Sequence, residues 1–503
     1  MKLDTGTELP EKFVLTKEFK DTFDLINQTD TNLFITGKAG SGKSTLLEYF
    51  CQNTNKNFAT LAFQGITAIK AKGQTIHSFF KLGPHFLSKD DVKELRDKQV
   101  IQNLDTILID EISMVRADLF DSIDLSLKKN RKNEKPFGGV QMVLFGDVMQ
   151  IDPIVGSDDE VMEKFYPNGP FFFNSKSYSK KDFKQIELTK IFRQSDKKFV
   201  NLLNKIRMNK LQNEDLSILN NQLINREEVP KDTIILAPTN RKVDDINNTN
   251  LYKLTTPTFN YNAIVKGSWK DKEHPVKKEI VLKVGAQVMI TKNDTDEPKR
   301  WVNGTLGIIT FLSKDQIKIK IKDKIFSLGK TKWDKYNYKF NGNKVNAVSV
   351  GSYIQFPLKL AWATTIHKSQ GQTFDNVSID LDTGSFAHGQ TYVALSRAKS
   401  LEGISLLKKI QKKDIIFDAR VLEFIGQKLE SKYISEILKN APKSKKKIMP
   451  KSSKSNSNEW TTSDDNKLLA LYKRNVPEFA LAKILKKSIT QIRERIMYLM
   501  KNN

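Results

Sequence analysis

The sequence predicts an α/β protein: parallel sheets covered by helices in two successive lobes, with a small all-β insertion and a helical C-terminal module. Three observations carry this. An apolar run at 32–37, NLFITG, leads straight into KAGSGKS and a helix-length segment. Short apolar segments then alternate with helix-length stretches, the pattern of strands buried on both faces. From about 285 to 355 the texture changes to period-two segments such as QIKIKIKDKIFSL, which read as β hairpins.

In order along the chain, further first-lobe strands are expected at 58–63, 106–110 and 141–146. A second set begins at 233–237 and resumes at 377–381 and 404–407. A chain of 503 residues is too long for one core. The expected division is a first lobe at 1–190 with a small insertion at about 81–100, then a second lobe at 191–290 and 356–425. A β-rich insertion takes 291–355. A helix and basic linker, ending in PKSKKKIMPKSSKSNSN, takes 426–458, and a helical module takes 459–503.

Lys and Arg total 83 against 58 Asp and Glu, a net charge of +25. That excess favours a polyanionic partner, nucleic acid before membrane. No apolar run is long enough to cross a bilayer and nothing resembles a signal peptide, so no membrane partner is expected. The one cysteine, Cys51, excludes an intrachain disulfide and reads as packing in the helix after the Gly-rich loop. A reducing compartment fits: cytoplasmic, with nucleoid association in a bacterium or phage, or nuclear in a eukaryote.

The chemistry begins at Gly37-xxxx-Gly42-Lys43-Ser44. Between a strand and a helix, such glycines let backbone N–H groups cradle phosphate oxygens. Lys43 supplies a point charge near the β- and γ-phosphates, and Ser44 can ligate Mg²⁺. Ala39, Gly40, Ser41 and Thr45 complete the expected nucleotide contacts. TILIDE at 106–111 ends a strand on two acids. Asp110 would hold the metal through water, and Glu111 would orient or deprotonate the attacking water. Gln150, after a third strand in VLFGDVMQIDP, can reach the γ-phosphate or that water. Arginines must neutralise charge developing on the γ-phosphate, which makes Arg193 in KIFRQSD and Arg397 in VALSRAKS candidates.

The ordered series GKAGSGKS, GQTIHSFF, IDEISMV, GDVMQIDP, IFRQSD, TTIHKSQGQTF and YVALSRAKS resembles the superfamily 1B helicases of the Pif and RecD type, over residues 12–410. The resemblance implies two RecA-like lobes, a small insertion in each, and ATP with Mg²⁺ between the lobes. It also implies 5′-to-3′ travel on single-stranded DNA. By motif match, Gly42, Lys43, Ser44, Asp110, Glu111, Gln150, Arg193 and Arg397 would be the ATP residues. Gly371 in HKSQG would bridge nucleotide and DNA. Trp301-Val302-Asn303-Gly304 resembles the opening of the family's SH3-like insertion, with Trp301 read as core.

The chain departs from the pattern at three places. Phe19 stands where the family usually carries an adenine-reading glutamine, which puts adenine selection in question. Phe63-Gln64-Gly65-Ile66-Thr67 replaces a Thr-Gly-Ile-Ala run, and Ile151-Asp152-Pro153 replaces Leu-Pro-Pro. None of these removes a phosphate or metal ligand.

Single-stranded nucleic acid is held by cations along its backbone and aromatic platforms under its bases. Thr75, His77, Ser78 and Phe79 are candidates in the first lobe; Thr365, His367 and Lys368, with Ser369, are candidates in the second. A lone His77 is more often a core histidine, but the resemblance favours DNA proximity. HKSQ has no metal-ligand spacing. The tail from Trp460 resembles a Myb-like helix-turn-helix whose third helix would present Gln491, Arg493, Arg495 and Lys501 to DNA; a protein-docking bundle is the other reading.

The leading expectation is an ATP-driven DNA helicase acting on single-stranded DNA and on forked or tailed duplexes, in replication, repair or recombination. Replication or repair proteins are candidate partners of the tail. An ATP-switched DNA-binding scaffold and an RNA-acting helicase are the alternatives.

Overall fold

The computed structural model describes residues 13–426, apart from 71–72, 156–157, 180, 195, 231–232, 268, 270, 295, 297–298 and 383, together with residues 465, 468, 495 and 499. Residues Met1–Ala441 form one compact unit and Pro442–Asn503 another.

The first lobe is built on six strands: β1 (Asn32–Gly37), β2 (Phe58–Ala62), β3 (Gln74–Thr75), β4 (Thr106–Asp110), β5 (Gln141–Phe145) and β6 (Phe183–Leu188). They lie in the order β3-β2-β4-β5-β1-β6, and every pairing is parallel. In β5, QMVLF, every residue is buried. That is why these strands lack polar alternation: helices cover both faces. Ile35 pairs with Phe145, Ile109 with Leu144, and Ala62 with Asp110, so β1, β2, β4 and β5 end at one carboxyl edge. In parallel sheets this edge is where ligands bind.

Helix α1 (Lys17–Gln28) precedes β1, and α2 (Lys43–Asn53) follows it. The Thr16 hydroxyl caps α1 by accepting from the Phe19 amide at 3.2 Å, which starts the helix. Phe19, Ile26, Leu46, Leu47 and Phe50 then pack with Leu33, Ile35 and Phe145 into one core beside the loop that joins β1 to α2. Cys51 is part of that packing, and burial pushes its thiol up to about 12.

The second lobe holds a four-stranded parallel sheet: Ala363–Thr365, Ile234–Ala237, Val377–Ile379 and Ile404–Leu406, side by side. One long connection joins Ile234–Ala237 to Ala363–Thr365: the helix Asn240–Lys253 and then a long antiparallel excursion. That excursion runs from Thr258 to Leu360, wider than the 291–355 read from texture. It contains a five-stranded sheet and a hairpin of Thr331–Phe340 with Val345–Gln355. Trp301 is buried in the excursion's own core, its ring 5.8 Å from Phe326 with Arg300 stacked over it at 4.5 Å.

The hairpin reaches back to the first lobe. Tyr338 Oη accepts from the Thr60 amide at 2.8 Å, the Val345 amide donates to Asn57 Oδ1 at 3.2 Å, and Gln74 Nε2 donates to the Tyr336 carbonyl at 2.8 Å. These bonds occupy the β2–β3 edge of the first sheet.

Candidate nucleotide site between the lobes

Gly40 and Gly42 take left-handed backbone, φ +82 and +84. Contact as well as conformation requires glycine there. A Cβ on Gly40 would lie 2.4 Å from the Arg193 Cβ, and one on Gly42 would lie 2.7 Å from the Phe19 ring. The loop is therefore tightly wound, the form in which a Gly-rich loop can cradle a phosphate. Lys43 folds back over it, donating from Nζ to the Gly37 and Lys38 carbonyls at 2.6 and 3.2 Å. Burial lowers the pKa of its ammonium, against the pull of Asp147, Glu111 and Asp110. Ser44 is exposed at the start of α2, and Thr45 is half-buried behind it.

Asp110 ends β4, and its Oδ1 accepts from the Glu111 amide at 2.9 Å. Glu111 sits at φ 51, ψ 49, left-handed backbone that a residue with a Cβ rarely takes. Such strain persists where the surroundings over-determine the conformation, and it clusters at working sites. Burial raises the Glu111 pKa, while the charges of Lys43, Arg397 and Arg193 oppose the rise. All four groups thus share one electrostatic neighbourhood. Gln150 is buried, its Oε1 accepting from Gln370 Nε2 of the second lobe at 3.3 Å.

Both predicted arginines reach the lobe junction. Arg193 Nη1 donates to the Ser396 carbonyl at 3.4 Å. Arg397 is 1% exposed and donates to the Val393, Ser369 and Gln372 carbonyls and to Ser396 Oγ. Burial, then the like charge of Arg193, pushes its guanidinium down to about 9. Two buried cations held this close favour an anion between them.

Four contributors went unread in the sequence. Asp147, wholly buried, makes an ion pair with Arg207 at 2.9 Å beneath Lys43. Burial alone would raise its pKa, but Arg207 and Lys43 hold its carboxyl below the usual range. Tyr392 Oη accepts from the Ala39 amide at 3.2 Å, a direct link from the second lobe to the cradle. Gln194 Nε2 donates to the Ser396 and Ala398 carbonyls at 3.2 and 3.1 Å. The signals were present: Asp147 lies in GDVMQ, Gln194 in FRQ and Tyr392 in YVALSRA.

The candidate DNA residues scatter more. Thr75 caps the short helix Ile76–Phe80 by accepting from the Ser78 amide at 3.2 Å. His77 is half-buried with its ring 5.7 Å from Phe63. Phe79 is core: 7% exposed, against Phe80 and Tyr338, so in this structure it offers no face to a base. In the second lobe Thr365 is buried and accepts from the Lys368 amide, and burial lowers the His367 pKa. Lys368 is exposed, and its Nζ donates to Asn240 Oδ1 at 3.0 Å. Gly371 is open, with nothing within 4 Å of where a Cβ would stand. In the tail unit, Arg495 is engaged by Asp465 through two bonds of 2.7 Å. Arg493, Gln491 and Lys501 lie outside the described residues.

The family model described as PIF1-like helicase matches residues 14–217, and that described as UvrD-like helicase C-terminal domain matches 360–401. The chain is 31% identical over 424 residues to the ATP-dependent DNA helicase Pif1 of Bdellovibrio bacteriovorus, covering 82% of this chain and 92% of that one. This chain belongs to the PIF1-like helicase family. To the zebrafish (Danio rerio) ATP-dependent DNA helicase PIF1 it is 32% identical over 432 residues, 79% of this chain. It spans 64% of that longer protein. Unliganded Pif1 from Bacteroides sp. superposes with a TM-score of 0.75 at 36% identity, covering 82% of this chain and 97% of the other. Bacteroides Pif1 bound to single-stranded DNA gives a TM-score of 0.61 at 36% identity, with coverage of 84% and 98%. The family's architecture, two RecA-like α/β lobes, is the one described above.

Proposed function

We propose that the chain is an ATP-dependent DNA helicase that translocates 5′-to-3′ on single-stranded DNA and opens tailed or forked duplexes. The observation that carries the reading is the junction where Lys43, Glu111 and Gln150 of the first lobe meet Arg397 of the second. The relatives named ATP-dependent DNA helicases and the Bacteroides structure with single-stranded DNA support it.

The residues fit Mg·ATP. Ser41 Oγ, Glu111 Oε2 and Asp147 Oδ2 are buried with no hydrogen-bond partner among the described residues. Buried polar atoms are normally paired, so these await a polar ligand. The loop amides and Lys43 would bind the phosphates. Ser44 and Asp110 would hold Mg²⁺, which neutralises β- and γ-phosphate oxygens when bound. Glu111, its carboxylate held beside three cations, takes the proton of the attacking water, which Gln150 orients. Arg193 and Arg397 stabilise charge on the departing γ-phosphoryl group. Because Arg397 comes from the second lobe, hydrolysis depends on lobe closure, and that closure moves the two DNA-gripping surfaces. On this reading the hairpin-bearing excursion is the second-lobe insertion, residues 81–100 the first-lobe insertion, and the basic tail a further contact to DNA.

The test is ATP turnover with and without single strands. Strong stimulation by DNA but not by RNA of the same sequence is expected. Turnover that ignores single strands would leave a nucleotide-switched binding protein, and preference for RNA would move the substrate class.

A further inference from the structure

By the resemblance, Phe19 stands where a glutamine usually reads adenine, and its ring lies against the phosphate cradle. Phe19 is 2% exposed on α1, and a Cβ on Gly42 would touch its Cζ at 2.7 Å. The same hypothetical atom would lie 3.4 Å from the Phe192 ring. Phe192 follows β6, its amide donating to the Gly40 carbonyl at 2.8 Å. The two rings stand 6.0 Å apart at 58°. Phe13 extends the wall, 6.4 Å from Phe19 and stacked on Tyr49 at 5.4 Å.

The sheet order says which end of a nucleotide meets this wall. The acids Asp110 and Glu111 follow β4, two strands to one side of β1; Phe192 follows β6, the strand on its other side. With phosphates over the loop and the γ-phosphate toward Glu111, the nucleoside leaves toward α1 and β6. There it meets aromatic carbon. Phe192 is 48% exposed, and the flexible Lys190 side chain lies over its ring, Nζ 5.1 Å from the centroid.

Among the described residues of that corner, Glu18 and Thr16 are already engaged. Glu18 Oε1 accepts from the Thr189 amide and hydroxyl at 3.1 and 3.2 Å, and Thr16 caps α1. Lys190 is a donor only, and every base carries an acceptor, so it does not separate the bases.

Resting on the nucleotide site proposed above, we infer that Phe192, backed by the buried Phe19 ring, holds the base by stacking without reading its edge, so this chain takes all four nucleoside triphosphates. Stacking is base-tolerant because every base has a π-face. A hydrophobic wall discriminates weakly, whereas a site built to hydrogen-bond a group rejects analogues lacking it by several orders of magnitude.

The experiment is equilibrium competition of unlabelled ATP, GTP, CTP and UTP against a fluorescent nucleotide analogue on the full chain with Mg²⁺. Affinities within about tenfold of one another are expected; a preference for ATP beyond that overturns the inference. Phe19→Gln restores the reading amide and should raise the ATP-to-GTP affinity ratio severalfold; an unchanged ratio in the folded variant contradicts the role given to Phe19. Since Phe19 is buried, Phe192→Ala supplies an independent arm. It should weaken all four about tenfold or more alike, and loss for ATP alone, or for none, contradicts stacking. Binding is read without hydrolysis or unwinding. Equal affinities in a protein that unwinds nothing would fail the helicase reading and leave this one standing.

Discussion

The Tyr392 hydroxyl accepts a hydrogen bond from the Ala39 amide at 3.2 Å, tying a second-lobe helix to an amide of the phosphate cradle. On the proposed nucleotide site, a phosphate oxygen would compete with the phenol for that donor. Tyr392→Phe removes the competitor, so the KM for ATP should fall by about two- to tenfold, the range of one hydrogen bond. Steady-state kinetics with saturating single strands measures it; an unchanged or higher KM would show that the bond does not gate the cradle.

On the proposed mechanism, Lys43→Ala removes the charge facing the β- and γ-phosphates, and Glu111→Gln removes the proton acceptor while keeping its shape. Both should lower DNA-stimulated turnover by about a hundredfold or more. Glu111→Gln should still bind Mg·ATP, readable by the same nucleotide competition. A fall of less than about tenfold in Glu111→Gln would assign the base to another residue.

The Asp147–Arg207 pair, both side chains buried at 2.9 Å, stabilises the floor under Lys43. Asp147→Ala strands the Arg207 charge and should cost about 3–5 kcal/mol in chemical denaturation. A loss below about 1 kcal/mol would mean that solvent reaches Arg207 once its partner is gone.

Asp152 gives the chain a pH dependence. Burial raises its carboxyl to about 6, with Asp418 adding and His388 and Arg420 opposing. His388 faces it through a fixed frame, its Nδ1 accepting from the Asp418 amide at 2.9 Å and its Nε2 lying 3.2 Å from the Val148 carbonyl. A carboxyl whose folded pKa exceeds the unfolded value favours folding below about pH 4 and loses that contribution as pH rises through about 6. Two pKa units correspond to about 3 kcal/mol. Asp152→Asn should lack this decline and be more stable than the parent at pH 8 by up to that amount; identical pH profiles would place Asp152 in solvent.

The fold was legible, and the candidate nucleotide residues could be grouped, because their signals are consecutive. β1, the glycines and Lys43 occupy one run, and TILIDE carries strand and acids together. What stayed hidden depends on contacts between distant segments. Asp147 meets Arg207 across 60 positions and Ala39 meets Tyr392 across 353. Phe79 reads as a base platform in GQTIHSFF, yet the fold turns it inward onto Tyr338, 259 positions away on a hairpin that period-two texture alone could not aim. Arg495 shows the converse: its charge is visible in sequence, but Asp465, 30 residues earlier, takes it up. The excursion's start at Thr258 was not read, because TFNYN alternates over only five residues and stands apart from the longer period-two run.

The central claim is that hydrolysis across the lobe junction drives strand separation from a 5′ tail. Strand release from duplexes bearing a 5′ or a 3′ single-stranded tail, with and without Mg·ATP, measures it for the parent chain and Arg397→Ala. Release by the parent is expected only from the 5′-tailed duplex with Mg·ATP, and none by Arg397→Ala despite retained ATP binding. Release from the 3′-tailed duplex alone, or by Arg397→Ala at the parent's rate, would contradict it.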